Sequence, residues 1–170
     1  YEITYGDWSS DVCSSDLGAR IPTLRVMPTV RTTSPEETEA LGERVGRAAR
    51  AGWVVGLDGD LGAGKTAFVR GFVRGLGCPA RAHSPTFALL HEYHGGRLPI
   101  FHLDLYRLGS ADELHTAGLD ACLSPTDAVS IIEWFSRAEG LNPPPPSLHR
   151  IGFRWVDEST REITHDLPGL

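Results

Sequence analysis

Residues 59–66 read GDLGAGKT, and they follow the apolar run WVVGLD at residues 53–58. The pattern G-x-x-x-x-G-K-[ST] is typical of a glycine-rich loop whose backbone N–H groups surround a phosphate. The run before the loop predicts a buried strand, and the segment KTAFVRGFVRGLG after it predicts a helix. A phosphate held there would lie at a helix N-terminus, where free N–H groups and the helix dipole favour anions. The motif therefore favours an α/β fold with a nucleotide-binding loop after one of its strands.

The loop supplies three kinds of group. Its glycines allow the backbone to wrap closely, Lys65 provides a cation for the terminal phosphates, and the hydroxyl of Thr66 is a ligand for Mg²⁺. Lys65 is also the only lysine among the 16 basic residues of the chain. A glycine-rich turn without function is the alternative, and the strand–loop–helix context disfavours it. The predicted nucleotide-binding residues of the loop are Gly59, Asp60, Leu61, Gly62, Ala63, Gly64, Lys65, Thr66 and Ala67.

Composition limits the domain count and the partners. The chain has 170 residues, of which 41% are hydrophobic, and this suits a single domain with one core. The formal net charge is −6, but four acids and no basic residue lie within residues 1–17, so the remainder is closer to neutral. That balance lacks the basic surface needed to hold nucleic acid unaided.

The N-terminal segment is set apart from the rest of the chain. Residues 1–17 are rich in Ser and Asp and show no hydrophobic period. We predict that residues 1–22 are a non-native or disordered segment and that residues 23–170 form a single P-loop ATPase domain. The sequence has no apolar run near the roughly 18 residues of a membrane span, no secretory signal and no C-x-x-C motif. These features predict a cytoplasmic protein that does not associate with a membrane.

Capping signals predict the helices. The stretch SPEE at 34–37 has the form of a capping box that begins a helix. Gly52 is expected to end this helix in the left-handed conformation, and Gly77 is expected to close the helix after the loop. A second capping box, Ser110 with Glu113, predicts a further short helix.

Strand signals complete the fold. The stretch FALLHEYHGGRLPIFHLD at 87–104 predicts a β-hairpin, and AVSIIEW at 128–134 predicts a buried strand. A polyproline connector at 142–147 precedes a last pair of strands near 148–156 and 160–166. We predict a P-loop NTPase-like three-layer α/β sandwich, with a mixed, mainly parallel central sheet and antiparallel edge strands.

Two acids lie where predicted strands end: Asp104 after RLPIFHL and Glu133 after AVSII. Nucleotide hydrolysis needs Mg²⁺ held by a carboxylate at the end of a neighbouring buried strand. A loop-capping role is the alternative for either acid taken singly. Because both strands could flank the strand before the loop, at least one of the two acids is expected to be a metal or water ligand. We therefore include both in the predicted catalytic set and, with Thr66, in the predicted metal-binding set. Which acid binds the metal and which activates water stays open.

Absent residues narrow the nucleotide. The only asparagine, Asn142, lies in the polyproline connector, so the chain contains no N-K-x-D motif for reading guanine. It also contains no glutamine, which removes the water-positioning Gln of small GTPases. ATP with Mg²⁺ is therefore the predicted ligand.

In this order and spacing, GDLGAGKT, SPTF (84–87), HLDLYR (102–107) and IEW (132–134) resemble the TsaE family, the ATPase subunit of the bacterial machinery that makes threonylcarbamoyladenosine in tRNA. The resemblance implies that SPTF acts as a switch near the nucleotide. It also implies that the acids of H-x-D-x-Y-R and of the E-W pair are needed for activity, and that the tryptophan lies close to the site. Ala67 departs from the family, since many members have a second threonine there. The matching positions are Ser84, Thr86, Asp104, Tyr106, Arg107, Glu133 and Trp134.

Three of the remaining candidates have a plainer alternative. His102 is expected to pack beside the hairpin, because no partner lies at metal-ligand spacing. Arg107 is either an arginine finger or a surface salt bridge. Trp134 is either a core residue or a contact for adenine or a partner, and we assign it to the nucleotide-binding set. Ser84, Thr86, Tyr106 and Arg107 form the predicted switch or partner set.

The leading hypothesis for function is Mg²⁺-dependent ATP hydrolysis within a tRNA-modifying complex, slow alone and stimulated by partners. The resemblance implies partners similar to TsaD and TsaB, with tRNA contacted only indirectly through the complex. A small-molecule kinase would use the same loop, although the sequence shows no insertion of the length of a lid. A nucleotide-binding regulatory module with negligible turnover is the second alternative, and Glu133 argues against it.

Overall fold

The apolar run before the glycine-rich loop forms the central strand of a seven-stranded sheet in the computed structural model. The structure describes residues 27–85, 88–109, 112–138 and 144–168. The helices and strands are, in chain order, β1 (Thr29–Thr32), α1 (Pro35–Ala48), β2 (Val54–Gly59), α2 (Lys65–Gly75), β3 (Leu90–Tyr93), β4 (Ile100–Asp104), α3 (Asp112–Thr116), α4 (Asp120–Leu123), β5 (Val129–Glu133), a 3-10 helix (Phe135–Ala138), β6 (Leu148–Trp155) and β7 (Arg161–His165).

Some sequence predictions concern residues outside these ranges. They include the N-terminal segment 1–22, Thr86 of the SPTF stretch, the Ser110 cap and Asn142. These remain predictions.

The sheet is mixed, as the sequence predicts. Its strand order is β1-β7-β6-β2-β5-β4-β3. The four central strands β6, β2, β5 and β4 run parallel, while β7, β1 and β3 pair antiparallel at the two edges. β2 and β5 are buried over nearly their whole length, as expected for strands covered on both faces.

The sheet is the middle layer of a three-layer sandwich. On one face, α1 and α2 pack over a core that includes Val55, Leu57 and Ile131. On the other face, a second core contains Val54 and Ile132 together with residues of α3, α4 and the 3-10 helix. Alternate residues of β2 and β5 thus point to opposite cores, as the period of two in a strand requires. The prediction of a P-loop-like α/β sandwich is confirmed.

α1 and α2 approach each other unusually closely because glycines line their contact. A Cβ atom built on Gly71 would lie 1.8 Å from the carbonyl oxygen of Glu39, and one on Gly42 would lie 2.1 Å from that of Phe68. Gly46 and Gly75 occupy equivalent positions, with corresponding distances of 2.2 Å to the facing helix. Backbone therefore packs directly on backbone, and any side chain at these positions would push the helices apart.

The structure corrects two local expectations for α1. Ser34 caps the helix by accepting a hydrogen bond from the Glu37 N–H at 3.2 Å, as predicted. The Glu37 carboxylate, however, accepts from the N–H of Thr33 rather than from that of the cap residue. The helix ends at Ala48, so Gly52, with φ of 88°, belongs to the turn before β2 and does not end the helix.

A third correction concerns the sheet order. The sequence interpretation allowed the strands of both acids to flank β2, but only β5, which carries Glu133, is its neighbour. β4, which carries Asp104, lies one strand further out and pairs with β5. Two parallel strands end in register there, so Asp104 and Glu133 are direct cross-strand partners. The two acids therefore meet at the carboxyl edge of the sheet although only one strand flanks β2.

No helix among the described residues is long and apolar enough to cross a membrane.

Candidate nucleotide-binding site

The glycine-rich loop connects the carboxyl end of β2 to the first turn of α2. Gly59 has φ of 142° and Gly64 has φ of 107°, a backbone region that favours glycine. A Cβ on Gly59 would also lie 2.4 Å from the carbonyl oxygen of Phe153 on β6. The first turn of α2 contains no acidic residue, so its N–H groups and its positive dipole end are available to an anion.

Lys65 lies folded back over its own loop. Its Nζ donates to the carbonyl oxygens of Gly59 at 2.6 Å and Asp60 at 2.9 Å. The same ammonium lies 3.8 Å from the centre of the Trp134 ring. Burial lowers the pKa of Lys65, and the negative charges of Glu133 and other nearby acids oppose that shift. The side chain is only 4% exposed, so this cation is shielded from bulk water.

Thr66 and Glu133 join the loop to β5. The Thr66 hydroxyl lies 3.1 Å from each carboxylate oxygen of Glu133. Glu133 is 3% exposed, and its Oε1 also lies 3.0 Å from Nε2 of the fully buried His102. A strand-end carboxylate is thus directly hydrogen-bonded to the residue that follows the loop lysine.

Asp104 connects the site to the segment before β3. Its carboxylate accepts a hydrogen bond from the Ser84 hydroxyl at 2.9 Å and from the Tyr106 N–H at 3.0 Å. The Tyr106 ring lies 5.0 Å from the Trp134 ring, centre to centre. These contacts bring four of the residues selected from the sequence to one end of the sheet.

These side chains line a cavity of about 440 Å³ at the mouth of the loop, the central cavity. Ser84, Asp104, Tyr106, Glu133 and Trp134 form one side, and residues of the loop form the other. The structure therefore brings together most of the predicted site residues. Arg107 is exposed and does not appear among the described residues of this lining, and Thr86 lies outside the described residues.

Two further cavities beside the loop were not predicted from the sequence. A cavity of about 190 Å³ lies on the other side of the loop, between Ser34, Thr38, Ala67 and Arg161. A larger one of about 820 Å³ shares Thr66 and Ser84 with the central cavity and is lined by residues of α2 and of the segment 78–84. Both involve residues far apart in the chain, and no local pattern could have identified them.

The arginines of α2 beside the larger cavity are held by α1. Arg70 and Arg74 lie 2.6 Å and 3.3 Å, respectively, from carboxylate oxygens of Glu39. The Glu39 carboxylate receives hydrogen bonds from both, and these lower its pKa against the effect of burial. Arg70 and Arg74 therefore already form ion pairs with a residue of α1.

The sequence interpretation also missed His102, which it assigned to packing. In a strand, residues i and i+2 point to the same face. His102 and Asp104 have this spacing, and the sequence could have placed His102 on the side of the acids. The structure shows that the ring contacts Glu133 rather than only filling space.

The strand–loop–helix unit, the threonine–carboxylate contact and the mixed sheet define the chain as a P-loop protein of the α/β class. A sequence model of the family described as "Threonylcarbamoyl adenosine biosynthesis protein TsaE" matches residues 32–163. The chain belongs to the TsaE family.

Relatives support the family over most of the chain. A "tRNA threonylcarbamoyladenosine biosynthesis protein TsaE" of Bacillus subtilis is 39% identical over 139 residues, which cover 82% of this chain and 85% of that protein. The protein of the same name from Treponema pallidum is 41% identical over 131 residues, which cover 77% and 94%. Among solved structures, a crystal structure of Bacillus subtilis YdiB superposes with a TM-score of 0.64 at 34% identity, covering 82% of this chain and 84% of that one.

Proposed function

We propose that this protein binds and slowly hydrolyses ATP as the Mg²⁺-dependent subunit of a cytoplasmic complex that makes threonylcarbamoyladenosine in tRNA. One observation carries the catalytic part of the proposal. The loop's Thr66 and the strand-end Glu133 are hydrogen-bonded to each other beside the buried ammonium of Lys65. Membership of the TsaE family supports the pathway, and TsaD-like and TsaB-like proteins are the proposed partners.

The donor set fits Mg²⁺. A hydroxyl and carboxylates are the hard oxygen ligands that Mg²⁺ prefers, and Mg²⁺ is usually held by one or two protein groups together with phosphate and water. No group of three or more His, Cys, Asp or Glu side chains in the described part of the chain could hold a metal ion alone. Thr66 and Glu133 would therefore hold Mg²⁺ together with the nucleotide, with Asp104 on the adjacent strand. When bound, the cation would neutralise charge on the transferred phosphoryl group.

The chain's own groups would divide the remaining work. The N–H groups of the loop and the first turn of α2 would bind the phosphates, and Lys65 would reach the terminal ones. Asp104 would tie the Ser84 segment to the site, because its carboxylate accepts the Ser84 hydroxyl. We place the nucleoside part at the small cavity lined by Ser34, Thr38 and Arg161, beside Ala67 of the loop.

Isothermal titration with ATP and Mg²⁺ tests the nucleotide site. Lys65→Ala should abolish tight binding, because it removes the single lysine of the chain, which lies in the loop. Thr66→Ala should lose turnover more than affinity, since its hydroxyl contributes through the metal. Unchanged ATP affinity in Lys65→Ala would contradict the assignment of the loop.

A second experiment separates hydrolysis from the kinase alternative. The protein is incubated with γ-labelled ATP, Mg²⁺ and a metabolite extract, and the products are separated. Free phosphate as the only labelled product supports an ATPase, whereas a labelled metabolite that depends on Lys65 would identify a kinase. No labelled product even with partners present would favour the regulatory module.

A further inference from the structure

His102 lies beneath the catalytic edge of the sheet and contacts the acid proposed to act there. Its Nε2 is 3.0 Å from Oε1 of Glu133, and the exposed fractions of the two side chains are 0% and 3%. The ring comes from the middle of β4, and the carboxylate from the end of the adjacent β5. The contact thus joins two fully packed strands rather than two mobile surface groups.

A buried carboxylate needs hydrogen-bond donors in place of water. Removing a charged group from water costs several kcal/mol unless hydrogen bonds replace its hydration. Within the described part of the chain, the Thr66 hydroxyl and the His102 ring lie within hydrogen-bond distance of the Glu133 carboxylate. If Thr66 turns its oxygen towards a cation, as the proposed function requires, His102 remains as the donor that fixes the carboxylate.

The far side of the ring has its own partner. Nδ1 of His102 lies 3.4 Å from the hydroxyl of Tyr93, on the adjacent β3. Burial raises the pKa of Tyr93, which keeps its hydroxyl protonated. The Tyr93 proton can be directed to Nδ1 of His102, to Nδ1 of His91 or to the carbonyl oxygen of His83, at 3.4, 3.5 and 3.4 Å. An ionised carboxylate only accepts hydrogen bonds, so a bond to Glu133 places the ring proton on Nε2 and leaves Nδ1 as an acceptor for Tyr93.

We propose that His102 is a positioning residue that acts through Glu133, holding its carboxylate at the mouth of the phosphate loop by a hydrogen bond from Nε2–H. The inference rests on the proposed function for Glu133's role in turnover. The geometric part, a proton on Nε2 directed at Glu133, is testable without nucleotide.

The first test is long-range ¹H–¹⁵N NMR of the ligand-free protein labelled at histidine nitrogens. The signal of His102 is identified by its loss in His102→Gln. We expect a proton on Nε2 with slow exchange against solvent, and a changed Nε2 shift in Glu133→Gln. A ring that carries no proton on Nε2 would overturn the proposal whatever the ATPase activity is.

The second test measures ATP affinity and steady-state phosphate release with the proposed partners present. His102→Phe fills the same space without a donor, and we expect kcat to fall at least about 10-fold while ATP affinity changes less than about 3-fold, since one lost charge-assisted hydrogen bond corresponds to roughly this factor. His102→Gln places an N–H near the position of Nε2 and should recover most of the rate.

His91→Phe is the matched control. His91 is the register partner of His102 on β3 and lies 3.5 Å from the same Tyr93 hydroxyl, but it makes no contact with Glu133 in the described structure. We expect its kcat to stay within about 2-fold of wild type. An equal loss in His91→Phe and His102→Phe would mean that the aromatic cluster acts only through packing, and would overturn the proposal.

A double-mutant cycle shows whether His102 acts through Glu133. In the Glu133→Gln background, His102→Phe should cause no further loss of rate, because the group that it positions is already absent. Additive losses would contradict the inference. Wild-type protein that releases no phosphate with partners present would instead contradict the proposed function, and the NMR result would still decide the geometry.

Discussion

Trp134 has a backbone conformation that is costly for any residue except glycine. Its φ is 60°, and among the described residues it is the only one other than glycine with a positive value. This conformation follows directly after Glu133 and places the indole over the ammonium of Lys65. Strain of this kind concentrates at functional sites, where the surrounding structure imposes it.

A pair of variants separates the strain from the side chain. Trp134→Gly and Trp134→Ala both remove the contact with Lys65, but only glycine adopts φ of 60° without cost. We expect the glycine variant to be more stable than the alanine variant by about 1 kcal/mol, because of the left-handed penalty. Chemical denaturation of both variants measures the difference. Equal stabilities would mean that the backbone relaxes once the indole is gone.

His165 gives the fold a pH dependence of known sign. It is 3% exposed on β7, and its Nδ1 has no hydrogen-bond partner among the described residues. Burial lowers its pKa, with Arg44 adding to the effect and Asp166 opposing it. The unfolded chain, in which histidine titrates near about 6.5, then binds more protons than the folded chain below that pH. Stability is therefore fully present above about pH 6.5 and falls as the pH is lowered below that value.

Urea denaturation between pH 7.5 and pH 5 measures this loss. His165→Phe should flatten the dependence, although His149, whose pKa burial also lowers, will retain part of it. His94→Phe is the control, since the His94 side chain is 65% exposed. Carboxylates with lowered pKa values, such as Glu162, matter only at lower pH. An unchanged slope in His165→Phe would show that this ring is not the group that titrates.

At the scale of elements, adding a side chain at the close contact of α1 and α2 should measurably lower the free energy of unfolding. Gly71→Ala places a methyl group 1.8 Å from the Glu39 carbonyl oxygen, so the helices must separate. We expect a loss of about 3 kcal/mol in the free energy of unfolding, at the upper end of the cost of overpacking. Gly77→Ala is the control, because Gly77 has φ of 77° and nothing within 4 Å, and it should cost only about 1 kcal/mol. Similar losses in both variants would argue against direct backbone packing.

Elements with a strong local pattern were predictable. The apolar run 53–58, the hairpin signal at 94–96 and the SPEE cap all lie where the structure places β2, the β3–β4 turn and the start of α1. α4 and the 3-10 helix were missed because four residues carry no full helical period. The sequence therefore identifies the helices and strands that are long enough to show a hydrophobic period.

The site was predictable where it is continuous in the chain and where strands end. The loop and the two acids are of this kind. The order of strands is not a local property, so the sequence allowed β4 to lie beside β2, whereas it lies beside β5. For the same reason, the contact of His102 with Glu133 and the small cavity at Ser34 could be found only in the structure.

For the whole molecule, we predict that partners accelerate ATP turnover. No arginine is among the described residues that line the central cavity, and the sequence contains no glutamine to orient water. A charge supplied by a partner to such a transition state increases rates by roughly 10³ to 10⁵-fold. Phosphate release should therefore be slow alone and rise at least 10-fold, as an order-of-magnitude expectation, when TsaD-like and TsaB-like proteins are added.

Glu133→Gln controls for this stimulation. It should remove the accelerated rate while ATP binding and complex formation persist, since an acid in the proposed role would contribute more to the transition state than to the ground state. Equal rates with and without partners would contradict the coupling. A fully active Glu133→Gln would transfer the catalytic role to Asp104.

The single lysine makes the candidate nucleotide-binding loop a unique target for a lysine-specific protease. The peptide bond after Lys65 is the only one that such an enzyme can cut, and it lies in the first turn of α2, with the lysine side chain 4% exposed. Cleavage requires that this turn unwind. The rate of cleavage therefore measures how often the loop and the first turn of α2 open while the rest of the molecule stays folded. A ligand held by the loop would slow that scission by mass action. The loss of the full-length band, with the appearance of two fragments, would then follow the opening of the loop in the unmodified, unlabelled chain.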